Sequence, residues 1–275
     1  MKGKIKLFDK QLIKEYYGIL SVLSLICSFI FIFAEVPNGC KVIAAGFFIV
    51  ILVGIYIVLW RKANRLEKVE IKINNSVIEV KVGDVFQENG LKVIAFNEYF
   101  DTIVDNKIIS EKSLNGLYIK NVEKDVAKLD KLIIDDDELK DKIEEENNSR
   151  RRGKKIKYRL GSTVEVEEYL LTAFSKFDNS NRAYLYMHDY INCLMNFWNE
   201  IDRIYAGRSV SIPLLGSGIT RFKEYETISH QELLELLIWS FKVSRVKFNY
   251  PSKVTIIIHE SQKDKINFYR LKGIK

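Results

Sequence analysis

Two uncharged stretches constrain this chain more than any other feature. Residues 16–34 (YYGILSVLSLICSFIFIFA) and 42–60 (VIAAGFFIVILVGIYIVLW) hold no Asp, Glu, Lys or Arg. At 1.5 Å per residue a helix of 19 residues is about 28 Å long, close to the thickness of a bilayer core. A pair of buried core helices is the alternative, but tandem apolar stretches with charged flanks fit lipid better. Residues 35–41 (EVPNGCK) carry Pro-Asn-Gly turn chemistry between them, so a hairpin is expected. Lys2, Lys4, Lys6, Lys10 and Lys14 precede the first stretch, and Arg61, Lys62, Arg65 and Lys68 follow the second. The connector holds one lysine, so the positive-inside bias places both ends on the cytoplasmic side. A cleaved signal peptide fits poorly: the apolar stretch is too long, and Ile32 is too large for a cleavage site before Ala34.

Charge separates the chain into two parts. Residues 1–68 carry ten Lys and Arg against four Asp and Glu, whereas the remaining 207 residues carry 33 against 32. The basic character therefore belongs to the membrane flanks, and a nucleic-acid partner is not expected. Cys27, Cys40 and Cys193 form no CxxC or Cys/His cluster, so neither a zinc site nor a disulfide framework is indicated.

Beyond a basic linker (61–68) the pattern changes to short strands alternating with helices. Strands are expected over 69–73 and 77–82, turned by Asn74-Asn75-Ser76, and over 91–96. A helix is expected over 115–131, and residues 132–134 form its end or a short strand. Residues 135–157 are acidic and then basic; they read as a solvated insertion or as a mobile segment. Strands near 162–166 and 169–174, a helix over 182–205 stopped by Gly207, a buried strand over 209–215, a helix over 231–242 and a strand over 253–259 complete the chain. Such alternation predicts a three-layer α/β domain over 69–275.

Three motifs in that domain can hold a ligand. Ile212-Pro-Leu-Leu-Gly-Ser-Gly-Ile-Thr-Arg-Phe222 runs a buried strand into a GxG turn, the position where open α/β sheets bind ligands. Glycines at 216 and 218 let successive amides face phosphate oxygens, Ser217 and Thr220 add hydroxyls, and Arg221 adds charge. Alone, such a turn is more often structural; it is neither a P-loop nor a dinucleotide fingerprint. Gly83-Asp84-Val85 places a carboxylate just after a strand, suited to an adenine amino group or to a simple turn. Asn97, ending the strand VIAFN, leads a loop with Glu98, Tyr99 and Asp101; its amide suits ribose hydroxyls or caps the turn. His188, His230 and His259 are scattered, with no HExxH or G-x-S-x-G, and His259 is the one placed to approach the cleft.

Together, in this order, the three motifs resemble macro domains. SVSIPLLGSGITRF resembles their second phosphate loop, VGDV their Gly-Asp-[Ile/Val], and VIAFN their Asn-terminated strand, over roughly residues 69–272. NEYFDTIVDNKIIS, YRLGSTVEVE and DRIYAGRSVSIPLLGSGITRF, after two apolar helices, are similar to the macro-domain effectors of type II Thoeris antiphage defence. The resemblance implies a three-layer α/β/α macro domain with a mixed central sheet behind a two-helix transmembrane hairpin in a bacterial inner membrane, its domain and both termini cytoplasmic. It also implies an ADP-ribose-derived ligand, histidine-ADP-ribose made by a TIR-domain partner, and no cofactor or metal. Binding would drive homo-oligomerisation and disruption of membrane lipid, ending in abortive infection. Residue by residue, Asp84 with Val85 would take adenine, and Asn97 the distal ribose. Gly216, Ser217, Gly218 and Ile219, with Thr220, would cradle the diphosphate, and Phe222 would line the cleft. Glu98, Asp101 or Arg221 would meet the amino-acid end. Hydrolytic macro domains carry a second Asn and a glycine run in the first loop. Here Phe100 stands at the Asn position and no glycine run follows, which favours a receptor over a membrane-tethered hydrolase. A passive membrane-anchored reader is the other alternative.

Overall fold

Asp9 starts the first helix: its Oδ1 accepts from the amides of Gln11 (2.9 Å) and Leu12 (3.2 Å), two of the donors a helix start leaves open. Helix α1 spans Lys10–Phe33 and α2 spans Lys41–Asn64, with one 3-10 turn, Asn38–Cys40, between them. The computed structural model describes residues 5–35, 37–224 and 227–274, so Lys2 and Lys4 of the basic flank and Val36 of the connector lie outside the described residues. Both helices outrun the uncharged stretches because Lys and Arg flanks are good helix formers. Each is long and apolar enough to cross a membrane, and their large apolar side chains stay exposed, Phe33 at 78% and Val42 at 83%. The Tyr16 hydroxyl donates to Leu52 O (3.2 Å), and its ring meets Tyr56 edge-on. At the base, Ile5, Leu12, Ala63 and Tyr269 form a small core with Trp60 against it. Gly18, Ser21, Ser24 and Ser28 are exposed, and a Cβ on Gly18 would meet nothing within 4 Å. That small-residue stripe does not serve the α1–α2 contact.

The chain divides into two compact units, Met1–Val69 with Ile266–Lys275, and Glu70–Lys265. Strands β1 (Lys68–Ile73) and β2 (Ser76–Val82) form a hairpin whose turn residues Asn74 and Asn75 have φ of 51° and 65°, the left-handed pair of a type I′ turn. Then come β3 (Leu91–Asn97), α3 (Leu114–Asn121), α4 (Val126–Asp135) and α5 (Asp137–Lys140). Next are β4 (Ile143–Glu146), β5 (Ile156–Tyr158), β6 (Thr163–Val166), β7 (Tyr169–Phe177) and β8 (Ala183–Leu185). The rest comprises α6 (Met187–Ile204), β9 (Val210–Pro213), β10 (Arg221–Phe222), α7 (His230–Val243), β11 (Val254–Ile258) and α8 (Phe268–Leu271).

The main sheet runs β1-β2-β11-β9-β3-β7-β8-β10, with β6 also on β7. Its five central strands, β2, β11, β9, β3 and β7, are mutually parallel, while β6 and β8 run antiparallel to β7. Strand alternation sorts the two faces. Ile94, Phe96, Leu171 and Ala173 join Tyr118, Leu129, Ile133 and Leu139 under α3–α5. On the other face Phe174 meets Tyr190 of α6, and Trp198 Nε1 donates to Ser240 Oγ of α7 (2.8 Å). The result is the expected three-layer α/β/α fold with a mixed central sheet.

Three local expectations change. The helix expected over 115–131 is two helices, because Asp125 accepts from Lys128 N (3.0 Å) and starts a new one. The helix expected from residue 182 begins at Met187. Asp178 Oδ1 accepts from the amides of Ser180 and Arg182, turning the chain so that β8 can pair with β7. Residues 135–157 are largely exposed, as expected of a solvated insertion, yet they are anchored: β4 and β5 pair antiparallel, Lys142 is buried on Glu200 (2.7 Å), and the Arg150 side chain is buried on Asp101. Charge runs read as solvent-facing until partners far along the chain neutralise them.

Candidate functional site

Parallel strands bring their carboxyl ends to one edge, and the loops that leave them enclose a cavity of about 390 Å³. The β2 end supplies Asp84. Its Oδ1 accepts from Phe86 N (3.0 Å) and caps the 3-10 turn Val85–Gln87, while its side chain stays exposed at the cavity wall. Val85 is buried beside it at 3% exposure.

The β9 end supplies the glycine turn. Gly216 has φ +85°, and a Cβ there would lie 2.9 Å from Phe222 Cζ, so only glycine fits. Phe222 is buried edge-on against Tyr190, behind the turn and outside the cavity lining. Ser217 Oγ donates to Leu214 O (2.6 Å) and its amide to the same carbonyl (3.2 Å), so its donors hold the turn. Gln262 Nε2 donates to Ser217 O (3.0 Å) from the β11 side. The amides of Gly218, Ile219 and Thr220 have no acceptor among the described residues, and a Cβ on Gly218 would meet open space. Three unspent amides beside an open glycine make a concavity suited to an anion. Arg221 lies in β10 at the sheet edge, exposed and outside the lining.

The β3 end supplies Asn97, which lines the cavity at 1% exposure. Its Oδ1 accepts from Tyr99 N (3.0 Å) and Asp101 N (3.3 Å), and its Nδ2 donates to Asp101 Oδ2 (2.9 Å). The side chain therefore shapes the loop as well as the wall. Asp101 is fully buried behind it, where both carboxylate oxygens meet Arg150 (3.0 and 2.6 Å) and Oδ1 also accepts from Lys154 N (2.7 Å). Arg150 stacks over Tyr99, 4.0 Å from its centroid, and Gly153 (φ +87°) leaves no room for a Cβ, which would sit 2.5 Å from Asp101 Oδ1. Phe100 turns away: its ring is fully buried against Phe96 and Tyr158, at φ +50°.

Glu98 also points away from the cavity. It is 1% exposed, accepts from Phe177 N through Oε1 (3.1 Å), and leaves Oε2 without a hydrogen bond. Burial pushes its carboxyl up to about 7, against the lowering pull of the Phe177 amide and of Lys157, 3.8 Å away. A carboxyl raised in the folded state stabilises while protonated, below about pH 4.5, and loses that contribution as pH rises through about 7. Glu98→Gln is expected to raise stability at pH 8 by up to about 3 kcal/mol and to change little near pH 4. Urea denaturation across that range checks it; a Glu98→Gln gain independent of pH would contradict the assignment.

Sequence reasoning missed the fourth wall: Ser110, Lys112, Ser113 and Asn115 at the start of α3, facing Phe174, Ser175 and Phe177 of β7. The one signal available was Ser113, a helix N-cap whose Oγ accepts from Gly116 N (3.2 Å). His259 of the β11 end does reach the cavity, with Nδ1 2.8 Å from Ser261 Oγ. The cavity thus unites Asp84, Val85, Asn97 and residues 216–220, while Glu98, Asp101, Arg221 and Phe222 stand outside its lining.

Several known proteins are similar to this chain. The family described as "Thoeris protein ThsA, Macro domain" matches residues 78–259. Thoeris protein ThsA of Bacillus amyloliquefaciens (strain Y2) is 43% identical over 245 residues, covering 87% of this chain and 82% of that protein. The Oceanobacillus iheyensis macrodomain solved with ADP is 12% identical at a TM-score of 0.45, covering 74% of this chain and 93% of its own. The same macrodomain with MES bound matches at the same TM-score and identity, over 74% and 94%.

Proposed function

This chain belongs to the Thoeris ThsA macro-domain family, and on that footing we propose that it is an antiphage-defence effector whose cavity receives an ADP-ribose-derived signal. The observation that carries this reading is the union of three ligand elements at one sheet edge: the unspent amides of Gly218, Ile219 and Thr220, the Asp84 carboxylate, and Asn97. Amides in such an array hold a diphosphate, and a carboxylate at the far end accepts from an adenine amino group. The signal is histidine-ADP-ribose, supplied by a TIR-domain partner. Phe100, buried in the core, offers no group to position a hydrolytic water, which favours a receptor.

In this reading α1 and α2 cross the bacterial inner membrane, their apolar side chains exposed along both helices, and the basic flanks keep the domain and both termini cytoplasmic. Ligand binding assembles copies through the exposed Gly18–Ser21–Ser24–Ser28 stripe, and the assembly disrupts the membrane. To move such an equilibrium from 1:99 to 99:1, the signal must favour the assembled state by about 5.5 kcal/mol.

The test uses the full chain in detergent micelles, with calorimetry for affinity and light scattering for mass. Histidine-ADP-ribose is expected to bind more tightly than ADP-ribose and to raise particle mass. Ser24→Leu, which blocks close approach on the exposed stripe, is expected to abolish the mass increase. Binding without assembly would favour a passive reader, turnover of ligand a hydrolase, and no binding of either compound would end the nucleotide reading.

A further inference from the structure

The start of α3 is a polar wall that the glycine turn does not account for. Ser113 caps the helix, and its Oγ donates to Ser110 O (2.5 Å). Asn115 is 9% exposed; its Oδ1 accepts from Gly116 N (3.0 Å) and lies 2.6 Å from Ser113 Oγ, whose one hydrogen it shares with Ser110 O. Its Nδ2 has no partner among the described residues, and the residue lines the cavity. The amides of Leu114 and Asn115 donate to nothing either, as the first turn of a helix leaves them. Lys112 lines the same wall. It is the only lysine or arginine among the described lining residues, it is exposed, and it forms no ion pair among the described residues.

The Asn115 side chain is nine-tenths buried, and its amide nitrogen is left without an acceptor at the cavity wall, a donor open to whatever enters there. Here every open group is a donor or a cation: Asn115 Nδ2, two helix-start amides under the positive end of the α3 dipole, and the Lys112 ammonium. Among the described residues no carboxylate side chain enters this wall; Asp84, the acidic residue of the described lining, belongs to the β2 end. The donors belong to a different loop from the amides of residues 218–220.

We propose that Lys112, Asn115 and the α3 start form a second anion subsite, which reads a negatively charged group that the ligand carries in addition to its diphosphate. This rests on the nucleotide reading above and deepens it. It makes Lys112 a specificity-determining residue: it selects ADP-ribose derivatives bearing a carboxylate or a further phosphate over ADP-ribose itself. The three residues proposed from sequence for the far end of the ligand, Glu98, Asp101 and Arg221, are not in the cavity lining, and the α3 wall takes their role.

The decisive experiment titrates three compounds into the full chain in detergent micelles: ADP-ribose, histidine-ADP-ribose, which adds a carboxylate, and ADP-ribose 1″-phosphate, which adds a phosphate. Lys112→Gln, at an exposed position, keeps the fold, and Asn115→Ala is a second, independent probe. Each substitution is expected to weaken the compound with the matching anion about tenfold, and at least five times more than it weakens ADP-ribose. The excess loss for Lys112→Gln shrinks with added salt as the charge is screened. Which of the two derivatives shows the loss identifies the anion. Equal losses for all three compounds would assign Lys112 to the shared diphosphate and overturn the subsite, as would no loss for any. If none of the three binds the unsubstituted chain, the nucleotide reading itself fails, a result distinct from either of those.

Discussion

Asp101→Ala is expected to remove about 3–5 kcal/mol of stability, because it leaves the Arg150 guanidinium buried without its partner. Arg150 is 8% exposed in its side chain and meets both oxygens of a carboxylate that is itself fully buried. Taking one charge away leaves the desolvation cost of the other, the mechanism behind the largest polar substitution effects. The loss is not confined to the hairpin. Asn97 Nδ2 donates to the same carboxylate, so the loop that puts Asn97 into the cavity wall loses its support as well. Ligand affinity and melting temperature are therefore expected to fall together in Asp101→Ala. The pairing is checked by the double variant Asp101→Ala with Arg150→Met, which removes both charges. It is expected to be more stable than Asp101→Ala alone; a double variant less stable than the single one would contradict the account.

Gly218→Glu is expected to abolish ligand binding, by at least about 100-fold, while leaving the fold intact. A Cβ at 218 meets nothing within 4 Å, so a side chain is sterically free, yet it projects where the unspent amides of residues 218–220 await an anion. A carboxylate there both fills the space and repels the diphosphate. Its neighbour behaves in the opposite way. Gly216→Ala forces a Cβ to 2.9 Å from the Phe222 ring at φ +85°, so its expected effect is on stability, through steric strain and the buried Phe222–Tyr190 contact. Calorimetry and thermal melts on both variants separate the two roles. Retained binding in Gly218→Glu would remove the glycine turn from the ligand site.

Periodicity and turn chemistry are local, and most of the elements they predict are present in the structure, with the helix expected over 115–131 split and the one expected from 182 starting at Met187. The two apolar helices, the Asn74-Asn75 hairpin, the strands ending at Asn97 and Pro213, and the glycine turn all arise from side chains acting on their own few neighbours. Identity of motif also placed Asp84 and residues 216–220 on one cavity, because strand order in a parallel sheet carries successive carboxyl ends to one edge. The tertiary structure decided the rest. The Asp101–Arg150 pair joins residues 49 apart, and Glu98 meets the Phe177 amide across 79. No window of sequence shows that a charged residue will lose its water, since burial is set by what packs over it from elsewhere in the chain. For the same reason Asp101 and Glu98 read as cavity residues in sequence and turn out to face the packed hairpin side. Lys112 and Asn115, unremarkable in the sequence, stand at the cavity wall, where α3 packs Tyr118 against Phe96 of β3. Local chemistry determined which elements form; the long-range packing of charges and helices determined which side chains face the cavity.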